Sequence, residues 1–117
     1  MNTMFVYGLL KPGLRLYYVA EPFVIDATRA SVRGRLYNAG VPAARFDEDG
    51  VIEGVLFTLD QARLDEALAA LDDLEDEGVE YRRIVVTAVV DDGEVEAYAY
   101  EYLKAVRPER FVGTTWS

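Results

Sequence analysis

The segment between residues 60 and 78 has the spacing of an amphipathic helix, whereas most of this 117-residue chain is typical of β-strands and turns. Asp60 is a suitable N-cap residue, and Gly78 lies where a left-handed residue is expected to end the helix. One clear helix among several strands predicts an α+β fold, in which the apolar stripe of the helix packs on a sheet. That stripe recurs at helical spacing and consists of Leu64, Ala67, Leu68, Leu71 and Leu74.

The predicted strands are separated by turn signals. They cover residues 4–7, an irregular stretch within 24–37, residues 51–59, and a hairpin over 81–90 and 95–102 with Asp92-Gly93 in its turn. Residues 14–20 fit either a short helix or a packed loop, and residues 104–117 are expected to be irregular. This order indicates one domain over residues 1–117, a mostly antiparallel curved sheet or small barrel with one main helix packed on it. The mouth of such a sheet or barrel is the expected ligand site.

Composition excludes several kinds of chemistry. The chain has no cysteine and no histidine, so it cannot build a thiolate nucleophile, a zinc–thiolate site or a Ser-His-Asp triad. Proton transfer near neutral pH must therefore use a carboxylate, a lysine or a tyrosine with a shifted pKa. The net charge of −9 argues against binding to nucleic-acid phosphates. No apolar run approaches the roughly 20 residues that span a bilayer, and no secretory signal is found, so a cytoplasmic location is expected.

The first predicted strand ends abruptly at Gly8, and a loop containing Pro12-Gly13 follows. Glycine has no Cβ, so the backbone at Gly8 can turn sharply and approach another molecule closely. Amide N–H groups that are freed at the end of a strand can line up on an anion. An ordinary strand and turn would explain the same residues, and this segment alone does not decide between the two interpretations.

Glu75 is the residue of its acidic segment that continues the apolar stripe of the helix. At about 100° per residue it lies one turn beyond Leu71, whereas Asp73 falls on the opposite side. Burial should raise the pKa of Glu75, and the helix C-terminus and the neighbouring acids should act in the same direction. Two interpretations remain open: a carboxylate that shuttles protons near neutral pH, or a buried acid paired with Arg82 or Arg83.

These features together resemble the gamma-glutamylcyclotransferase-like superfamily, which includes plant avirulence-induced proteins. That family begins with a strand ending in Tyr-Gly-Thr/Ser-Leu, and it later carries Leu-Asp-x-Leu-Glu-Gly followed by Tyr-x-Arg. Weaker similarities at 34–43, 52–56 and 112–116 extend the resemblance over nearly the whole chain. The similar motifs here are Tyr7-Gly8-Leu9-Leu10, Leu71-Asp72-Asp73-Leu74-Glu75 and Tyr81-Arg82-Arg83.

The resemblance implies a small, mixed β-barrel with flanking helices and a cavity for a small gamma-glutamyl compound. It also implies an enzyme that cyclises this compound to 5-oxoproline and releases an amine, with no metal or cofactor. In that reaction Glu75 would be the acid/base, and backbone N–H groups of the loop after the first strand would hold the substrate carboxylate. The remaining residues that would line the site are Tyr7, Gly8, Leu9, Leu10 and Tyr81.

Two positions depart from the family pattern. Leu9 stands where the family has Thr or Ser, so a hydroxyl that could bind substrate is lost, and Asp76 replaces the glycine after the glutamate. The sequence therefore favours an amine-releasing cyclotransferase over two alternatives. One is a non-catalytic module on the same fold that binds a small molecule or a partner, which Leu9 favours. The other is a compact acidic domain in which Glu75 is only ion-paired.

Overall fold

Five strands close into a barrel, and a smaller sheet of three strands accompanies it. The computed structural model describes residues 1–91 and 93–117, so Asp92 of the predicted hairpin turn lies outside the described residues. Within those residues, no helix combines the length and the apolar character needed to cross a membrane. The elements in chain order are β1 (Thr3–Val6), α1 (Tyr17–Ala20), β2 (Val24–Arg33), β3 (Arg35–Asn38), β4 (Pro42–Arg45), β5 (Val51–Leu59), α2 (Leu64–Leu74), β6 (Tyr81–Val90), β7 (Gly93–Tyr102) and β8 (Phe111–Gly113).

The barrel follows the strand order β1-β5-β2-β6-β7. Its neighbouring strands are antiparallel, except that β7 meets β1 in parallel, with Met4 opposite Tyr98. The longest pairing is the hairpin of β6 and β7, which runs from Tyr81 opposite Tyr102 to Val90 opposite Gly93. The predicted mixed, mostly antiparallel barrel with one main helix is therefore confirmed.

The predicted strand within 24–37 is divided at Gly34. Gly34 has a φ of 155°, and a Cβ there would lie 2.9 Å from the carbonyl oxygen of Arg45. After this break the chain leaves the barrel and forms β3, which pairs with both β4 and β8. The prediction that residues 104–117 are irregular was therefore wrong for β8, a three-residue strand too short to show an alternating pattern. Residues 14–20, which were open between helix and loop, contain the four-residue helix α1.

Side chains of β1 alternate between two hydrophobic clusters, as expected for a strand with both faces buried. Phe5 belongs to a cluster with residues from all the other barrel strands, and this cluster fills the barrel. Met4 and Val6 belong to a second cluster, which also contains Leu71 of α2. Leu71 is fully buried, so α2 is fixed against the outer wall of the barrel through the predicted apolar stripe.

The two ends of α2 have different capping structures. The chain enters the helix through a 3-10 turn at Gln61–Arg63, and the Asp60 carboxylate caps that turn by accepting from the Ala62 N–H, as predicted. At the other end Glu75 is the C-cap residue, and Asp76, with a φ of 51°, is the left-handed residue that follows. The prediction that Gly78 has this role was wrong.

Two hydrogen bonds identify the helix end as a Schellman motif. The Glu77 N–H donates to the Asp72 carbonyl at 3.0 Å, and the Asp76 N–H donates to the Asp73 carbonyl at 3.3 Å. Asp is among the few non-glycine residues that tolerate the left-handed region, although at a cost. A glycine at this position would meet the same backbone requirement without a steric cost.

Replacing Asp76 by glycine should raise the free energy of unfolding by about 0.5–1 kcal/mol, because glycine adopts the left-handed conformation without a steric cost. Urea denaturation of wild type and Asp76→Gly measures the difference. Asp73→Gly is the matched control, since it removes the same charge from an exposed position inside α2. That control should be destabilised, and a destabilised Asp76→Gly would contradict the assignment.

Candidate active site

A cavity of about 150 Å³ lies between the loop that follows β1 and the C-terminal end of α2. Its wall contains every site residue that the sequence predicted, namely Tyr7, Gly8, Leu9, Leu10, Glu75 and Tyr81. Apolar side chains make up much of the remaining wall, together with two charged residues, Arg15 and Glu80. The structure thus brings the N-terminal loop and the helix carboxylate, which lie far apart in the sequence, onto one enclosed surface.

The loop that follows β1 lines this cavity with Gly8, Leu9 and Leu10. The loop is closed by the Lys11 N–H donating to the Gly8 carbonyl at 3.1 Å, and the Leu9 carbonyl accepts from the Leu16 N–H at 3.0 Å. Across residues 1–91 and 93–117, no hydrogen bond from the N–H groups of Gly8, Leu9 or Leu10 is found. Successive N–H groups that are not used by the protein's own acceptors are available to bind an anion.

Gly8 is required by packing against the small sheet. A Cβ at this position would lie 2.6 Å from Cγ of Pro42, which is closer than real Cβ atoms approach another carbon. The close approach that the sequence analysis assigned to another molecule is therefore made to Pro42 within the chain. Because Pro42 also lines the cavity, β4 presses the loop into place from one side.

Glu75 enters the cavity from the last turn of α2 and is mostly buried. Burial, the largest cause, and the nearby negative charge of Glu80 together raise the pKa of Glu75 to about 7. The alternative of an ion-paired Glu75 does not hold within the described part of the chain, where no salt bridge involves this residue. Arg83 is instead bound to Asp72, with 3.1 Å between Nε and Oδ1, and Arg82 is exposed.

Three buried tyrosines make hydrogen bonds around the cavity wall. The Tyr81 hydroxyl donates to the Pro42 carbonyl at 2.5 Å, and the Tyr7 hydroxyl donates to the Tyr100 carbonyl at 2.6 Å. The Tyr100 hydroxyl in turn donates to Asp72 Oδ1 at 2.6 Å. Burial is the largest cause that raises the pKa of all three phenols, so they stay protonated and act as hydrogen-bond donors.

Sequence reasoning missed several of these residues. Asp72 was not separated from the solvated acids around it, although it holds both Tyr100 and Arg83 behind the cavity. Pro42 and Tyr100 gave no local signal, because their places in the site depend on how distant strands pack. Glu80, next to the Tyr81 motif, gave no signal that distinguished it from the other acids after the helix.

The cavity suits an organic anion better than a metal ion. In the portion of the chain that the structure describes, no group of three or more acidic side chains is placed to hold a metal. The unpaired amides favour a carboxylate, while Glu75, with a pKa of about 7, can exchange a proton at neutral pH. The same pocket is therefore lined by the loop backbone at residues 8–10 and by Glu75, whose pKa is about 7.

Known proteins share this fold and sequence pattern. The family model described as "Gamma-glutamyl cyclotransferase, AIG2-like" matches residues 4–117. An AIG2-like protein from Mus musculus superposes with a TM-score of 0.74 at 24% identity, covering 94% of this chain and 82% of that protein. A protein from Pyrococcus horikoshii gives a TM-score of 0.73 at 19% identity, covering 96% of this chain and 86% of that one.

A longer protein and a named cyclotransferase extend the comparison. YkqA from Bacillus subtilis gives a TM-score of 0.73 at 23% identity; 98% of this chain is covered, but only 39% of YkqA. A structure named gamma-glutamyl cyclotransferase gives 0.60 at 14% identity, covering 92% of this chain and 72% of that one. A search of curated protein sequences gave no significant match. The structural similarities establish the fold, and the match over residues 4–117 establishes that the chain belongs to the gamma-glutamyl cyclotransferase, AIG2-like family.

Proposed function

We propose that this protein is a gamma-glutamylcyclotransferase-type enzyme, which converts a gamma-glutamyl amine or peptide to 5-oxoproline and releases the amine. One observation carries the proposal: Glu75 lines the same cavity as Gly8, Leu9 and Leu10, whose N–H groups make no hydrogen bond among the described residues. A gamma-glutamyl compound has an α-carboxylate for the amides and, on the same carbon, an amine for the carboxylate. The site thus offers a partner to each charged group of that substrate.

The reaction is an intramolecular aminolysis. The α-ammonium first gives a proton to the Glu75 carboxylate, since an ammonium has no lone pair for attack. The amine nitrogen then forms a bond to the side-chain amide carbon, which closes the five-membered lactam. The bond between that carbon and the leaving nitrogen breaks as protonated Glu75 returns the first proton to that nitrogen. The ring nitrogen then gives its second proton to Glu75, which passes it to the released amine. The products are neutral-ring 5-oxoproline and an ammonium ion, and Glu75 is ionised again.

The residues of the cavity wall position the substrate and set the protonation states of Glu75 and the tyrosines. Loop amides that hold the carboxylate also restrain the flexible glutamyl chain, so the amine and the amide carbon stay close to each other. A pKa near 7 suits Glu75 to both halves of the proton cycle, because neither protonation state is strongly disfavoured at neutral pH. The buried phenols of Tyr7 and Tyr81 have pKa values raised further by the charge of Glu75, so they do not compete as bases.

A non-catalytic binding module is the second candidate, and Leu9 is the observation that favours it. Leu9 lines the cavity, and the resemblance places Thr or Ser at this position. Its backbone carbonyl is engaged by Leu16, while no bond from its N–H is found among the described residues, so the amide part of the site survives the substitution. A ligand could therefore bind in the same place without being converted.

Incubation with a panel of gamma-glutamyl amines, amino acids and peptides should yield 5-oxoproline, measured by mass spectrometry. Glu75→Gln should lower kcat by about 10²–10⁴-fold, because general acid–base catalysis by one group contributes about that much.

For the wild type, kcat/KM should rise as the pH increases through about 7, since Glu75 must be ionised to accept the proton.

Asp73→Asn is the matched control for this experiment. Asp73 is an exposed acid on the same helix, and its substitution should leave turnover unchanged. Full turnover by Glu75→Gln would contradict the assigned mechanism. A compound that stabilises the wild type against heat, with no 5-oxoproline from any member of the panel, would instead support the binding module.

Glu75 should also make stability depend on pH. Its folded-state pKa of about 7 lies above the ordinary value of 4.5, so the folded protein binds this proton more tightly than the unfolded chain does. Its contribution to stability is therefore complete at low pH and is lost as the pH rises through about 7. Glu75→Gln should be more stable than wild type at about pH 8, and the difference should close toward about pH 4. Urea denaturation at several pH values measures this, and a variant that is less stable at about pH 8 would refute it.

A further inference from the structure

Residues 114–116 are bound to the barrel by hydrogen bonds and apolar packing. The Glu53 N–H donates to the Thr114 carbonyl at 2.7 Å, which extends the edge of β5 by one bond. The Thr114 and Thr115 hydroxyls both donate to Glu53 Oε2, at 2.9 and 3.2 Å. Trp116 then packs against the cluster that fills the barrel. This segment is thus held by both backbone and side chains, and we refer to residues 114–116 as the strap.

Lys11 joins the strap to the loop that lines the cavity. Its Nζ donates to the Trp116 carbonyl at 2.5 Å. Its own backbone is bonded on both sides, with the N–H donating to the Gly8 carbonyl at 3.1 Å and the carbonyl accepting from the Leu14 N–H at 3.0 Å. Lys11 is half-buried, and burial lowers the pKa of its amine.

The loop needs such an external anchor. The N–H groups of Gly8, Leu9 and Leu10 make no hydrogen bond among the described residues, and the backbone hydrogen bonds of this stretch there involve only the Gly8 and Leu9 carbonyls. Pro42 blocks movement on one side of Gly8, but it does not hold the far end of the loop. The bond from Lys11 to the Trp116 carbonyl acts at that far end.

We propose that the strap holds residues 8–11 in the conformation that presents their amides to the cavity, with Lys11 as the positioning residue that connects the two. Lys11 acts through the loop, because its amine is bound to Trp116. The effect on substrate binding rests on the function proposed above, whereas the effect on the loop itself does not. Loss of this bond should therefore weaken the carboxylate site more than it slows the chemical step.

Hydrogen exchange detected by NMR tests the coupling in the free protein. In Lys11→Met, the amides of Lys11, Leu14 and Leu16 should exchange about tenfold faster, because their bonds within the loop open more often. Trp116 is the single tryptophan of the chain, and its emission should move to longer wavelength as the strap loosens. Amides in the centre of β5 should keep their exchange rates, since the barrel is untouched.

Two further variants complete the test. Lys104→Met removes the same charge from an exposed lysine and should match wild type in every measurement. Lys11→Arg retains a donor that can reach the Trp116 carbonyl, and it should restore most of the loop protection. In the enzyme assay, Lys11→Met should raise KM about tenfold and change kcat by less than about twofold.

The outcomes separate this proposal from the proposed function. If Lys11→Met leaves loop exchange, Trp116 emission and KM unchanged, the strap has no positioning role. If every amide accelerates equally, the effect is a general loss of stability and the proposal is also overturned. If the wild type yields no 5-oxoproline while loop exchange responds to Lys11→Met alone, the proposed function fails and the coupling between strap and loop stands.

Discussion

The position of Glu75 on the last turn of α2 is the constraint on which the site depends. Leu71, one turn earlier, is fully buried against the barrel, so the same helical face carries Glu75 into the cavity. The Schellman motif at Asp76 ends the helix immediately afterwards and turns the chain toward Glu80 and Tyr81. Packing of an ordinary apolar stripe therefore delivers a carboxylate to a place that it would not otherwise occupy.

Two parts of the site lack a partner among the described residues. Glu75 is mostly buried with no salt-bridge partner among the described residues, and the loop opposite it presents amides for which the same residues supply no acceptor. Burial of the Glu75 charge costs free energy. A bound zwitterion with a carboxylate and an amine would offer a partner to the loop amides and to Glu75. The tyrosine hydrogen bonds and the strap keep these groups apart and in place.

Much of this could be predicted where the information is local. The spacing of Leu64 to Leu74 defined the face of α2, and that face alone was enough to separate Glu75 from Asp73. The reason for Gly8 could not be predicted, because its contact with Pro42 depends on how the small sheet packs beside the barrel. The end of α2 was misplaced since Asp76 adopts a conformation for which glycine is the usual signal. Asp72 and the strap were missed because their partners, Tyr100 and Lys11, lie far away in the sequence.

The central claim is that one ligand engages the loop amides and Glu75 together. A titration of labelled protein with L-glutamate, followed by NMR, tests it most directly, because this ligand has the α-carboxylate and the α-amine but no amide bond to break. The amide signals of Gly8, Leu9 and Leu10 and the carboxyl signal of Glu75 should move together and fit a single affinity. Saturable shifts confined to other surfaces, or amide signals that stay fixed while the rest of the cavity responds, would contradict the account.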